Sequence, residues 1–556
     1  MRTLFTFCLL LLISAQAQSQ TPRALRPDIS ITLVTKVEAE VTRLAFNPID
    51  SAVYYSTANG NIYKVIMPDT GVAYDTLVYK FSDHGIHYVQ GLAFYDSCLY
   101  VSGNYIMNTP RTMGVIQRGK LIGGYLRNWE TVAQTDPYPI SGWYDHLFSG
   151  MTLNLTGDTI LICSGSRGDH GEVQTHGGIY PGLRNLPLTT VILRIPAAAT
   201  GLVIPNDSAA LDSMGLIFCS GVRNTYDFAY NAAGDLFGCE NSGDRDMEDE
   251  LNFLQQGKHY GFPWMMGGSY NPQQFPWYDP LADSLINRIG WAWTIGSFHN
   301  DPTFPQKPAG LQLTLPCLNH GPNAAFLRDS ATGKTYNAAA VSKPVYSFTP
   351  HRSPLGLTFD RDSILGKDFR GAGFVLSYTR GNPSLPDSSV LMIPFKDSSE
   401  DLLMLVMKKD SANDAYSFHA YKIAESFNRP VDAVLRDTSM YVIEILYTGE
   451  QSLWRIDFPR YLKPPSNVSA HSLGANVISY PNPADKMLYI SIDQPQNKRL
   501  TLSIFDASGR LVFTETKKYS QPRITVNTAS FAPGAYHWQI AGGDVNNKGS
   551  FMVVHP

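Results

Sequence analysis

The sequence predicts an all-β chain, a six-bladed β-propeller followed by a small β-sandwich, and three observations carry that expectation. Aromatic residues reach 12% with 30 Tyr and 27 Phe, Gly and Pro number 45 and 36, and charged residues make up 17%. This is a composition of many short strands and turns rather than of helices. A strand–turn–strand unit recurs six times: LAFNPIDSAVYYS from Leu44, GLAFYDSCLYVSG from Gly91, MTLNLTGDTILICSG from Met151, FAYNAAGDLFGCENSG from Phe228, GLTFDRDSILGKDFRGAGFVLSYT from Gly356 and VDAVLRDTSMYVIEI from Val431. Each unit holds strands that cannot bury both faces alone, and radial stacking around a channel solves that problem. Beyond residue 477, apolar and polar residues alternate in short runs such as LYISI, LTLSIFD, RITVN and AYHWQI, the pattern of a small sandwich.

Taken in order, Met1–Ala17 reads as a signal peptide: Arg2 supplies the positive start, Leu4 to Ile13 the apolar core, and Ala15-Gln16-Ala17 a small-x-small cleavage site. Residues 28–460 are expected to form the propeller, with a Trp/Pro/Gly-rich insertion from Met265 to Lys343 between the fourth and fifth units. Residues 461–476 are polar and Pro-rich and suit a linker, and 477–556 form the sandwich. No other stretch has the roughly 20 apolar residues of a membrane span. The formal net charge of −4 gives no long-range attraction to nucleic acid or an anionic membrane. Cys98, Cys163, Cys219, Cys239 and Cys317 remain after the signal peptide, an odd number in an exported chain. Buried core thiols and a Cys219–Cys239 bridge both remain open.

The stretch richest in chemistry is Gly221 to Pro263. It carries Arg223-Asn224, then six carboxylates between Glu240 and Glu250 with Arg245 as their one cation, then Tyr260-Gly-Phe-Pro263. Carboxylates that dense repel one another unless water or a cation sits among them.

Two resemblances give these motifs a context. Tyr480-Pro-Asn-Pro-Ala484, Ile504-Phe-Asp-Ala-Ser-Gly-Arg510, Phe531-Ala-Pro-Gly-Ala-Tyr536 and Lys548 to Val554 resemble the sorting domain of the type IX (Por) secretion system, which implies the secretion machinery as a partner and release or attachment at the cell surface. In the propeller, Gly91-Leu-Ala-Phe94, Asp145-His146 with Ser164 to Glu172, Gly221-Val-Arg-Asn224 with Asp249-Glu-Leu-Asn252 and Tyr260-Gly-Phe-Pro263, and His351 to Phe359 resemble the soluble glucose/sorbosone dehydrogenases. That resemblance implies a sugar dehydrogenase using pyrroloquinoline quinone (PQQ) and calcium, with an external electron acceptor.

The resemblance also implies roles. His146 is the base that removes the sugar hydroxyl proton, with Asp145 or another carboxylate orienting its imidazole. Arg223 meets charge developing on the quinone, with Asn224 beside it. His87 or Gln90 contacts the cofactor, the register leaving both open, and Arg352 is a further positive candidate. Glu250, Asp249 and the Tyr260 backbone match positions associated with a structural calcium, and Gly243-Asp244 lies where a cofactor calcium is held. The alternative reading is a noncatalytic cell-surface propeller that binds calcium and recognises a glycan or protein through Trp264, Trp277, Trp291 and Trp293. No GxSxG, P-loop or Rossmann fingerprint points to other chemistry.

Overall fold

The computed structural model describes residues 21–140, 144–366, 368–381, 388–445, 451–461, 477–492, 499–518, 523–542 and 545–555. The signal-peptide reading, and the linker reading beyond Tyr461, fall outside these described residues. The chain divides into two compact units, the first ending at Tyr461 and the second starting at Leu462.

The first unit is a six-bladed β-propeller. Its inner strands, one per blade, are Val41–Asn47, Val89–Tyr95, Phe148–Leu153, Thr225–Tyr230, Pro354–Phe359 and Pro430–Arg436. Each packs against the inner strand before and after it, and the sixth returns to the first. With the inner strand counted, most blades have at least four strands and blade 4 has three. Ser30–Val37 pairs with Gln451–Asp457 as the outermost strand of blade 6, so the two ends of the unit close the ring together.

Blade strands face a neighbour on both sides, which explains why they read as apolar runs and not as alternating patterns. Ala52–Thr57, for example, is buried along its whole length. The core is correspondingly divided into six clusters, one between each pair of neighbouring blades. Tyr54, Leu92 and Leu99 join blades 1 and 2, Leu161, Phe228 and Leu236 join blades 3 and 4, and Val41, Tyr55 and Tyr441 join blades 1 and 6. The five cysteines named above are free thiols, four buried and Cys98 half-buried, so Cys219 and Cys239 are not bridged.

Every inner strand has a register shift near its start, between Val41 and Arg43, Val89 and Gly91, Phe148 and Met151, Thr225 and Asp227, Pro354 and Leu357, and Pro430 and Asp432. These bulges bend each strand at the same depth and align one repeat position: Arg43, Gly91, Gly150, Asp227, Gly356 and Asp432. The glycines permit close approach. A Cβ on Gly150 would lie 2.5 Å from the Tyr226 carbonyl, and one on Gly356 would lie 2.9 Å from the Ala433 nitrogen.

The remaining three residues form a buried ion cluster. Arg43 Nε donates to the Gln90 carbonyl at 2.6 Å and Nη2 to the Tyr226 carbonyl at 2.7 Å. Its guanidinium lies 3.7 Å from the Tyr226 ring centroid, the geometry of a cation–π contact. Asp432 accepts the Leu44 N–H at 2.7 Å and Asp227 accepts the Leu357 N–H at 2.8 Å, so each carboxyl stitches its inner strand to the next blade. Burial and the charge of Asp432 push Asp227 up to about 8. The two carboxyls therefore share a proton beside one arginine, a neutral arrangement that low dielectric favours.

The second unit is a β-sandwich. One sheet is Val477–Tyr480, Met487–Ile492 and Arg523–Asn527, and the other is Leu511–Lys518, Arg499–Asp506, Gly534–Gly542 and Val545–Val553. Leu488, Ile490, Leu502, Ile504, Trp538 and Phe551 alternate inward to fill it.

Removing a single partner from a buried ion cluster leaves uncompensated charge, at a cost of about 3–5 kcal/mol. Arg43→Met is expected to lower the unfolding free energy of residues 21–461 by about that amount in urea. A loss of under about 1 kcal/mol, the scale of an exposed pair, would show that the cluster does not bind the blades together.

Candidate functional site

The candidate residues of four blades lie within two residues of an inner strand's first residue, Gln90 in blade 2, His146 in blade 3, Arg223 and Asn224 in blade 4 and Arg352 in blade 5, and Arg429 holds the corresponding place in blade 6. The propeller topology gathers these entry ends at one end of the axis. The other end opens on a cavity of about 420 Å³ lined by strand ends such as Phe46, Tyr95, Tyr230 and Asp437. None of the candidates lines it.

His146 is half-buried and its Cβ packs on Gly165, where a side chain would come within 2.4 Å. Its Nδ1 lies 3.1 Å from the Ser166 carbonyl and 3.0 Å from Ser166 Oγ. Ser166 Oγ gives its own proton to the Gly168 carbonyl at 2.8 Å, so toward the imidazole it is an acceptor. Nδ1 therefore carries the proton and Nε2 the lone pair. Burial, then the charge of Arg223, hold the imidazole down to about 3, so it is neutral near pH 7. The orienting partner is Ser166. Asp145, expected in that role, lies instead in the field of Arg167 and Tyr138.

Arg223 is held as a fork. Nε donates to the Asp169 carbonyl at 2.8 Å, Nη2 to Asp169 Oδ1 at 3.1 Å and Nη1 to the Asn241 carbonyl at 3.0 Å. The Arg223 carbonyl in turn accepts the Ser166 N–H at 2.8 Å, linking the arginine to the residue that orients His146. Asn224 Nδ2 reaches Asn241 Oδ1 at 3.1 Å.

Asp169 is the hub of this arrangement, and the sequence reading assigned it no role. Besides Arg223 it accepts from His170 Nδ1 at 2.8 Å and from the Asp244 N–H at 3.0 and 3.2 Å. Burial opposes its charge, but the His170 hydrogen bond and Arg223 overcome that and hold it down at about 2. Gly243 lies against it, where a Cβ would sit 2.8 Å from Oδ2. The only signal available was the run Gly168-Asp-His-Gly-Glu172, which becomes meaningful once the blade 3 loop meets blade 4.

The acidic stretch separates into three environments. Asp244 belongs to the Asp169 hub. Asp249 is a staple, taking the Ser242 N–H at 2.9 Å on one oxygen and the Ser353 N–H at 2.8 Å on the other. Glu250 meets Glu240, a residue the sequence reading placed only at the edge of the cluster. Both carboxyls accept from Asn252 Nδ2, at 3.0 and 2.8 Å, and Glu240 also takes the Arg223 and Asn224 N–H groups. Burial and then the charge of Glu240 push Glu250 well up, so it is the acid of a proton-sharing pair. The pair adjoins a cavity of about 10 Å³ lined with Tyr260, Phe262, Met265 and Met266, about the room one water or cation needs. Asn252 Oδ1 is buried with no hydrogen-bond partner among the described residues. Two carboxyls and the Tyr260 backbone border this space and are oxygen donors of the kind a hard cation takes, while Asn252 turns its Nδ2 toward the pair. Among the described residues no group of three or more His, Cys, Asp or Glu side chains is gathered as a metal cluster.

Two expected cofactor contacts lie elsewhere. Arg352 is fully buried and each of its N–H groups is engaged within blade 5, by Asp397 at 2.7 Å, Asp401 at 2.5 Å, Ser377 and the Ser398 carbonyl. His87 is exposed, stacked on Phe81 at 3.6 Å, and lines a rim cavity with Tyr88 and Tyr105. Gln90 spends its carbonyl on Arg43. The half-buried Arg429 guanidinium has no ion pair among the described residues, and Arg380 lies nearby on Glu400 and Asn428.

Family comparisons cover this ground. Residues 99–295, which include His146, Asp169, Arg223 and Glu250, match the family Glucose / Sorbosone dehydrogenase. Residues 479–554 match the Secretion system C-terminal sorting domain, which indicates type IX secretion to the cell surface or outside. Similar solved structures include the apo-form soluble aldose sugar dehydrogenase of Escherichia coli, 16% identical over 77% of this chain and 99% of that one with a TM-score of 0.46. The PQQ-bound aldose sugar dehydrogenase of Streptomyces coelicolor is 14% identical over 79% of this chain and 99% of that one, with a TM-score of 0.42. No protein of curated function matches in sequence. No described helix is long and apolar enough to cross a membrane.

NMR of ring-labelled His146 is expected to show the neutral, Nδ1-protonated tautomer down to about pH 4. A folded pKa below the ordinary 6.5 means the unfolded chain takes up this proton first, so His146 costs stability as pH falls from 6.5 toward 3. Titration of that ring near 6.5 in the folded protein would contradict the geometry.

Proposed function

We propose that the chain is an exported, PQQ- and calcium-dependent sugar or aldose dehydrogenase, and the observation that carries the reading is the pairing of a neutral His146 with Arg223. A reaction that removes hydride from a carbinol carbon needs a base for the hydroxyl proton and a cation for the charge that develops on the acceptor. His146 has its lone pair on Nε2, with Ser166 holding the ring. Arg223 has its orientation fixed by Asp169 and Asn241.

The donor set suits a tricarboxylated quinone. Arg223 and Asn224 would meet it from blade 4, and Arg429 with Arg380 would supply positive charge from the entry ends of the last blades. Bound PQQ supplies a two-electron hydride acceptor. His146 Nε2 takes the hydroxyl proton as hydride leaves the same carbon, so the sugar loses two electrons and two hydrogens and a lactone results. The histidine then returns its proton to solvent, and the electrons would pass to an external acceptor.

Calcium would occupy the Glu240–Glu250 cavity, displacing the shared proton, with the Tyr260 carbonyl as a further oxygen donor. A second cation would balance Asp169 and Asp244 beside Gly243. The Met1–Ala17 signal peptide takes the chain across the inner membrane, and the sorting domain hands it to the type IX machinery.

Protein loaded with PQQ and calcium is expected to reduce a redox dye with an aldose, and His146→Ala to lower kcat by about 10²–10⁴. Chelation followed by calcium return should remove and restore the rate. No dye reduction across aldoses and polyols, with His146→Ala indistinguishable from wild type, would leave a noncatalytic calcium- and glycan-binding propeller instead.

A further inference from the structure

The turns that lead into the inner strands of blades 1 and 2 are tied into one corner. His84, buried at the end of the short helix Phe81–His84, gives its Nε2 proton to the Gly60 carbonyl at 2.9 Å and takes the Ile86 N–H on Nδ1 at 3.2 Å. The Ala58 N–H donates to the Glu40 carbonyl at 2.9 Å, and the Tyr88 N–H to the Ala58 carbonyl at 2.7 Å. A Cβ on Gly60 would lie 2.5 Å from the Ile86 carbonyl, so the two loops meet backbone to backbone. The segments around Glu40, Ala58 and Tyr88 are thereby fixed relative to one another.

This corner holds the rim cavity, about 370 Å³ in volume, and Glu40, Asn59, His87, Tyr88, Tyr105 and Ile106 line it. None of His146, Asp169, Arg223 and Asn224 does. Tyr88 and Tyr105 are 50% and 47% exposed, and the His87 ring is stacked on Phe81. Among the described residues no hydrogen bond or ion pair engages the side chains of Glu40, His87, Tyr88 or Tyr105. Asn59 Oδ1 takes the Thr57 hydroxyl at 2.6 Å and the Asn61 N–H at 3.2 Å, which fixes the amide and leaves Nδ2 to donate.

This lining selects a ligand class. No lysine or arginine borders the cavity and Glu40 is an acid, so phosphates and carboxylates are disfavoured. An aliphatic ligand would leave the carboxylate, amide, imidazole and phenol groups unpaired. Half-exposed aromatic rings beside groups that both give and accept hydrogen bonds suit a pyranose, whose C–H face covers a ring while its hydroxyls meet the polar groups. Because the corner is already fixed, little ordering is needed on binding. We infer that this corner of blades 1 and 2 is a saccharide-binding site separate from the His146–Arg223 centre, holding a glycan chain as a ligand that is not oxidised there. The inference does not depend on the dehydrogenase reading.

The test is ligand-observed NMR and calorimetry on the full chain with the methyl glycosides of cellohexaose and maltohexaose, whose blocked reducing ends cannot be oxidised at C1. Wild type is expected to bind at least one of them. Tyr88→Ala and Tyr105→Ala should each weaken that binding about tenfold, with dye reduction by PQQ- and calcium-loaded protein unchanged. Tyr74→Ala, which removes a tyrosine 56% exposed on blade 1 but outside the cavity, should equal wild type. The inference is overturned if neither glycoside binds, if both cavity variants stay within twofold, or if Tyr74→Ala loses as much. Binding of tetramethylammonium that depends on Tyr88, with neither glycoside bound, would make the cavity a cation cage and overturn it too. A fall in dye reduction in step with the loss of binding would make the cavity part of the reaction centre and overturn its separateness. Tyr88-dependent binding with no dye reduction in wild type would sink the dehydrogenase reading and leave this inference standing.

Discussion

The buried cluster of Arg43, Asp227 and Asp432 is the constraint on which the rest of the propeller depends. Six inner strands have to meet at an axis too narrow for six side chains, and three glycines at the same repeat position reduce the crowding there. The other three residues, Arg43, Asp227 and Asp432, tie blades together: Arg43 reaches backbone in blades 2 and 4, while the carboxyls take N–H groups of blades 5 and 1. The carbonyls that Arg43 grips belong to Gln90 and Tyr226, the latter three residues after Arg223. A core interaction thus sets the positions of the entry ends, where His146 and Arg223 lie.

At those ends the electrostatics are organised by long-range pairing. Arg223 is useful as a fixed charge because Asp169 and Asn241 remove its rotational freedom, and Asp169 stays ionised because Arg223 and His170 outweigh the cost of burial. The same principle in reverse explains Glu240 and Glu250, where burial and the closeness of the two carboxyls favour a proton held between them. A single acidic stretch therefore serves as a staple at Asp249, a proton-sharing pair at Glu250 and a brace for the hub and the insertion at Asp244.

The fold was largely legible because strand periodicity is local, and blade after blade repeats it. The axial cluster was not, since Arg43, Asp227 and Asp432 occupy one repeat position with different residues and only the bulges align them. At the site, the motifs around His146, Arg223 and Glu250 were readable as a resemblance, whereas Asp169 meets Arg223 and Asp244, and Glu240 meets Glu250 and Asn252, through contact across strands and blades. Arg352 illustrates the converse: an arginine next to a strand end looks available in sequence, but Asp397 and Asp401, more than forty residues later, occupy it completely.

The central claim is that His146 and Arg223 form one reaction centre for quinone-dependent sugar oxidation. Its most direct test is a crystal structure of the full chain soaked with PQQ and calcium. The account predicts density for the quinone in contact with both His146 and Arg223 and for a cation between Glu240 and Glu250. A quinone bound away from either residue, or none at saturating concentration, would contradict it.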